Sequence, residues 1–135
     1  MKYSNTITLR LNYDEAVPKV KDAFKSKGFG TLTEIDVRAT LKEKLGEDLE
    51  PYLIIGACNP HLAHRALSTE PRIGTLLPCN VVVRQQGSAV IVDALDPSIM
   101  ASVTEEPALQ PIAEEAARLM GEALAELAAA EGEGR

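Results

Sequence analysis

Leu77–Leu95 reads LPCNVVVRQQGSAVIVDAL: two β-branched runs, Leu77–Arg84 and Ala89–Leu95, flank Gln86-Gly87-Ser88. Valine and isoleucine interrupted by a Gly-centred turn specify a hairpin, and a hairpin requires at least one antiparallel strand pair. A purely parallel, doubly wound sheet is thereby disfavoured. Working outward, Tyr52–Cys58 is a short, nearly continuous apolar run, as in a strand covered on both faces. Thr6–Leu11 alternates, with Ile7, Leu9 and Leu11 on one face, and Thr31–Ile35 supplies a further strand.

Helices separate these strands. Asn12 or Asp14 opens the first, which carries Ala16, Val17, Val20, Ala23 and Phe24 on one side and stops at Gly28. Pro18 argues for a start close to Asp14, since proline deep in a helix loses a hydrogen bond and clashes. Asp36 caps Val37–Leu45, which Gly46 closes, and Asn59-Pro60 begins a helix to about Ser68. A last helix runs from near Pro111 to about Ala130, with Ile112, Ala116, Leu119, Ala123, Leu124 and Leu127 on one side. The order is β-α-β-α-β-α-β-β-α, an α+β layer with a five-stranded, mainly antiparallel sheet and helices on one face. Residues 1–130 form a single domain, and residues 131–135 are expected to fray as a tail.

Composition bounds the function. The 135 residues are 45% hydrophobic and 25% charged, with 4% aromatics and no Trp, so the core is aliphatic. No leader and no apolar run near the ~20 residues of a membrane span is visible, so a cytoplasmic, membrane-free protein with reduced cysteines is expected. Residues 1–103 hold twelve acids and twelve bases; residues 104–135 hold eight glutamates against Arg118 and Arg135, which gives the whole net charge of −6. An acidic chain repels phosphate backbones, so nucleic-acid binding is not expected. The lysines from Lys19 to Lys44 lie on amphipathic helices without interleaved aromatics and read as solvated faces.

The chemistry-bearing residues gather in Gly56–Cys79, GACNPHLAHRALSTEPRIGTLLPC, which contains both cysteines and both histidines. Cys58 ends a strand directly before the N-cap Asn59. Free amides and the helix dipole there would favour a thiolate, which makes Cys58 the candidate nucleophile; burial as a small hydrophobe is the bland alternative. His61 and His64 share a helix face opposite Leu62, Ala63, Ala66 and Leu67, and read mainly as surface residues. Cys79 falls on the face of Val81 and Val83 and is expected to be buried; if the third and fourth strands pair, Cys58 and Cys79 could face one another. Cys58, His61, His64 and Cys79 have donors suited to zinc or copper, but their spacing matches no standard structural zinc site. There is no C-x-x-C, nucleophile elbow, phosphate loop or dinucleotide fingerprint. Helix capping and turn formation account for Asp36 and Asp96.

The segment GFGTLTEIDVRATLKEKLGEDLEPYLIIGACNPHLAHRALSTEPRIGTLLPCNVVV resembles the prokaryotic family called domain of unknown function number 302. The motifs Gly56-Ala57-Cys58-Asn59-Pro60 with Leu62-Ala63, and Leu76-Leu77-Pro78-Cys79, carry the resemblance. It implies a curved antiparallel sheet with helices on one face, similar to the TATA-binding-protein architecture, a homodimer, and motif positions at Cys58, Asn59, Pro60 and Cys79. Three functions follow. The first is a homodimeric module binding a small ligand or metal through Cys58, Asn59, His61 and Cys79. The second is a redox enzyme or sensor with Cys58 as reactive thiolate and Cys79 resolving it. The third is an interaction protein with buried, inert cysteines that works through its dimer surface and acidic last helix. The binding module is preferred, because no general base with defined geometry can be named.

Overall fold

The structure, a computed structural model, describes residues 2–133. Five strands form one wholly antiparallel sheet: β1 (Ser4–Leu9), β2 (Gly30–Asp36), β3 (Tyr52–Cys58), β4 (Cys79–Gln86) and β5 (Ala89–Leu95), in the spatial order β1-β5-β4-β3-β2. The helices are α1 (Tyr13–Ser26), α2 (Val37–Leu45), α3 (Pro60–Thr69), α4 (Ser98–Thr104) and α5 (Gln110–Glu133), with 3-10 turns at Pro71–Leu76 and Pro107–Leu109. The α+β architecture and the order expected from the pattern hold, and α4 is an addition to it.

Register sorts the side chains. Val81 faces Ala94 on one side and Ile55 on the other, while Val83 faces Val92 and Leu53. With a period of two these residues share a face, so Ile55, Ala57, Cys79, Val81, Val83, Val90, Val92 and Ala94 are all buried. They meet Ala16, Val20 and Phe24 of α1 and Ile112, Ala116, Met120, Ala123 and Leu127 of α5 in a single core. The other face carries Arg84 and Asp93 as an ion pair (Nε to Oδ2, 2.7 Å), and the Thr6 hydroxyl donates to Asp93 Oδ1 at 2.7 Å. None of the helices among the described residues is long and apolar enough to cross a membrane.

Element ends follow their capping chemistry. Asn12 Oδ1 accepts from the Asp14 amide, so α1 starts at Tyr13 and Pro18 falls in its second turn, leaving the Asp14 carbonyl without its usual helical donor. Asp36 Oδ1 accepts from the Ala39 amide, and Gly46 ends α2 in the left-handed region at φ 69°. β1 lies two residues earlier than the alternation suggested. Leu11 leaves the strand and packs against the core from the loop. Helix α5 continues through 131–133 of the expected tail, and 134–135 lie outside the described residues.

Gly56 is a packing requirement rather than a turn. A Cβ built there would lie 2.2 Å from Thr33 Oγ1 and 2.8 Å from Pro78 Cγ. Gly56→Ala is therefore expected to destabilise the fold by about 1–3 kcal/mol, as overpacking does. In urea denaturation, Thr33→Ala combined with Gly56→Ala should recover part of that loss; equal stability of Gly56→Ala and wild type would refute the close approach.

Candidate functional site

The end of the sheet where β3 runs into α3 is shaped by one asparagine. Asn59 Oδ1 accepts from the Leu62 amide at 3.2 Å, capping α3 as its position predicts, and Pro60 is the first helical residue. The Asn59 side chain also lies over Gly28, where an added Cβ would come within 2.8 Å of Nδ2; φ at Gly28 is +89°. Glycine at 28 thus lets the end of α1 approach the start of α3. Across the sheet, Ala57 is the register partner of Cys79, so Cys58 stands one position past the residue opposite it.

Both cysteines are free, Cys58 half-buried and Cys79 buried, and both line one cavity of ≈ 40 Å³. Phe29, Ala57, Leu62, Ala63 and Ala66 line it from the β2–β3–α3 side, Leu77 and Pro78 from the strand entry, and Met100, Ile112 and Ala116 from α4 and α5; Asn59 completes it. The wall is apolar apart from Asn59 and the two thiols. The Leu77–Pro78 peptide is cis.

The electrostatics run against the thiolate expected at Cys58. Burial pushes its thiol above the ordinary range. Burial, with the charge of Cys58 adding to it, pushes Cys79 up to about 11. Burial therefore favours the thiol form of Cys58 over the thiolate. Cys79 is buried as its strand parity required.

The four-donor set is not brought together. His61 and His64 are exposed and do not line the cavity, because Leu62 and Ala66 take the inward face of α3 and turn the residues beside them outward. Leu67, expected on the inward side, is 42% exposed. Among the described residues no group of three or more His, Cys, Asp and Glu side chains is placed to hold a metal ion. Of the sequence candidates, Cys58, Asn59 and Cys79 meet at one place, and His61 and His64 do not. Met100, 6% exposed, is the functional-looking residue that sequence reasoning missed: its helix had no strong periodic signal, and nothing local ties it to Cys58. The acidic candidates are accounted for structurally. Asp96 Oδ1 accepts from the Ser98 amide at 3.0 Å and from its hydroxyl at 2.7 Å, starting α4, and Glu34 pairs with Lys21.

Raised thiol pKa values have a stability consequence. Below about pH 9 Cys79 is protonated whether the chain is folded or not, and its contribution is fully present. As pH climbs from 9.0 toward about 11 the unfolded chain loses the proton first, so stability falls through that window. The loss is on the order of 2–3 kcal/mol. Chemical denaturation of wild type and Cys79→Ala at several alkaline pH values should show this slope in the wild type and a shallower one in the variant. Identical slopes would mean that Cys79 is not held as a buried thiol.

The family model described as "Domain of unknown function DUF302" matches residues 5–127. A crystal structure of an uncharacterized conserved protein DUF302 from Bacillus stearothermophilus superposes with a TM-score of 0.85 at 28% sequence identity, covering 92% of this chain and 97% of that one. No curated protein matches.

Proposed function

This chain belongs to the DUF302 family, and on the geometry of its cysteine cavity we propose that it is a small-ligand-binding module whose ligand sits against Cys58 and Cys79. The observation that carries the reading is that two cysteines 21 positions apart in sequence line one apolar cavity at the sheet end. A volume of ≈ 40 Å³ has room for a ligand of a few heavy atoms. Apart from the two thiols the lining residues carry no titratable group, so the cavity offers shape and sulfur but no partner for general acid–base chemistry. The reactive-thiolate alternative is weakened by the same burial that holds both sulfurs protonated. The inert-cysteine alternative predicts that nothing enters.

Methyl-resolved NMR with dimethyl sulfide as the probe separates these readings. Saturable shifts confined to the methyls of Ala57, Ala66, Met100 and Ile112 are expected, and Ala63→Leu, which fills the space, should abolish them while leaving the fold intact. No shift up to the solubility limit of the probe would sink the proposal.

The homodimer is proposed at β2. That strand ends the sheet, so among the described residues no strand lies beyond its outer row of backbone N–H and C=O groups, and Leu32 and Ile35 on it are 65% and 50% exposed. Such an edge invites a second copy to extend the sheet, and an antiparallel two-fold pairing of β2 with itself closes the assembly. Sedimentation at high micromolar concentration should show a dimer that Ile35→Lys converts to monomer. A monomeric wild type would exclude this interface.

A further inference from the structure

We propose that Cys58, Cys79 and Met100 form a soft-donor site for monovalent copper, an inference that rests on the ligand-binding reading above and names its ligand. Three sulfur-bearing residues, Cys58, Cys79 and Met100, line one cavity from three separate elements: the end of β3, the start of β4 and the middle of α4. Two cysteines and a thioether are the donor types that select Cu(I) over harder divalent ions. The oxygen and imidazole ligands that suit those divalent ions are scarce here: His61 and His64 are exposed, no carboxylate lines the cavity, and the Asn59 amide oxygen is engaged by the Leu62 amide.

The chemistry balances without an oxidant. Copper arrives as Cu(I) and stays Cu(I). Each Cu–S bond to a cysteine forms as its S–H bond breaks and the proton leaves to solvent, while Met100 coordinates through a lone pair and releases nothing. The metal's positive charge compensates the thiolate charge inside an apolar wall, which is why sulfurs that remain protonated in the free protein can ionise on binding. Affinity must therefore rise with pH across the neutral range.

The test is anaerobic titration of reduced protein with Cu(I) buffered by bicinchoninate, followed by sulfur-to-copper absorption in the ultraviolet and by X-ray absorption at the copper edge. Expected are one ion per chain, an all-sulfur first shell, and an apparent affinity that increases with pH. Cys58→Ser and Cys79→Ser should each weaken binding by more than the roughly hundredfold that losing even an outer-shell partner can cost. Met100→Leu conserves volume and should weaken it by a smaller factor while removing one sulfur from the shell, which keeps the assignment testable if a cysteine variant fails to fold. His61→Gln with His64→Gln should bind as wild type does. A nitrogen or oxygen first shell, tighter binding of Zn²⁺ than of Cu(I), or an unchanged shell in Met100→Leu would overturn the proposal. If Cu(I) fails to bind while dimethyl sulfide still shifts the cavity methyls, the copper assignment falls and the pocket reading stands; if neither enters, both fall.

Discussion

The pairing of β4 with both its neighbours is the constraint from which the rest of the molecule follows. β4 sits in the middle of the sheet, with β3 on one side and β5 on the other, and its Val81 and Val83 are 1% and 0% exposed. Shifting that strand by one residue would turn both valines, and Cys79 with them, to the face that bears Arg84 and Asp93. Burying two valines is worth several kcal/mol on any area scale, so the register is firmly set. Once it is set, Ala57 must oppose Cys79, Cys58 must fall one position further on, and the two sulfurs must reach the same end of the sheet. The cavity is thus a by-product of strand register. Neither cysteine was placed by a local motif alone.

The same geometry favours the thiol over the thiolate at a cysteine beside a helix start. A helix N-terminus stabilises a nearby anion by about 0.3–1 kcal/mol when its free amides point at it. Here Pro60 has no N–H, and the Leu62 amide is taken by Asn59 Oδ1. What is left of the N-terminal field works against the cost of charging a sulfur among Phe29, Leu62, Met100 and Ile112, and burial raises the thiol's pKa. The capping residue that defines α3 is therefore one of the reasons its N-terminus does not activate the neighbouring thiol. Sequence reasoning counted the amides of a helix start without subtracting the two already missing or engaged.

How much could be read from residues alone differs by element. β3 (Tyr52–Cys58), α2 (Val37–Leu45) and β5 (Ala89–Leu95) were legible to the residue because punctuation sits at their ends: Asp36 and Gly46 around α2, Asn59-Pro60 after β3, Gly87-Ser88 before β5. β1 was displaced by two residues because Leu11 continues the alternation without continuing the ladder. Helix α4 was missed altogether. Its sequence, SIMASVT, carries three hydroxyl residues and two β-branched apolar ones in seven positions and has weak intrinsic preference for helix. It forms because Asp96 caps its start and because Met100 and Ala101 bury on the core. At the site, the cysteines and Asn59 were visible as a cluster in sequence, whereas Met100 arrives through tertiary packing from 42 residues away and leaves no local trace.

The concentration of negative charge in the last helix also has a structural account, and it bears on where function resides. Lys27 at the end of α1 lies 2.9 Å from Glu126 and 3.6 Å from Glu122, Arg65 on α3 lies 2.9 Å from Glu115, and the Arg10 amide meets Glu131. Four of the eight glutamates of residues 104–135 therefore answer cations and an amide of the charge-balanced residues 1–103. Exposed pairs of this kind contribute little individually. They are directional all the same, and they agree with the buried stripe from Ile112 to Leu127 that sets which face of α5 turns toward the core. That orientation is what delivers Ile112 and Ala116 to the wall of the cysteine cavity. An acidic helix whose charges are engaged within its own chain makes a poor free surface for a basic partner, so the acidic surplus supports the cavity more directly than it supports an interaction-protein role.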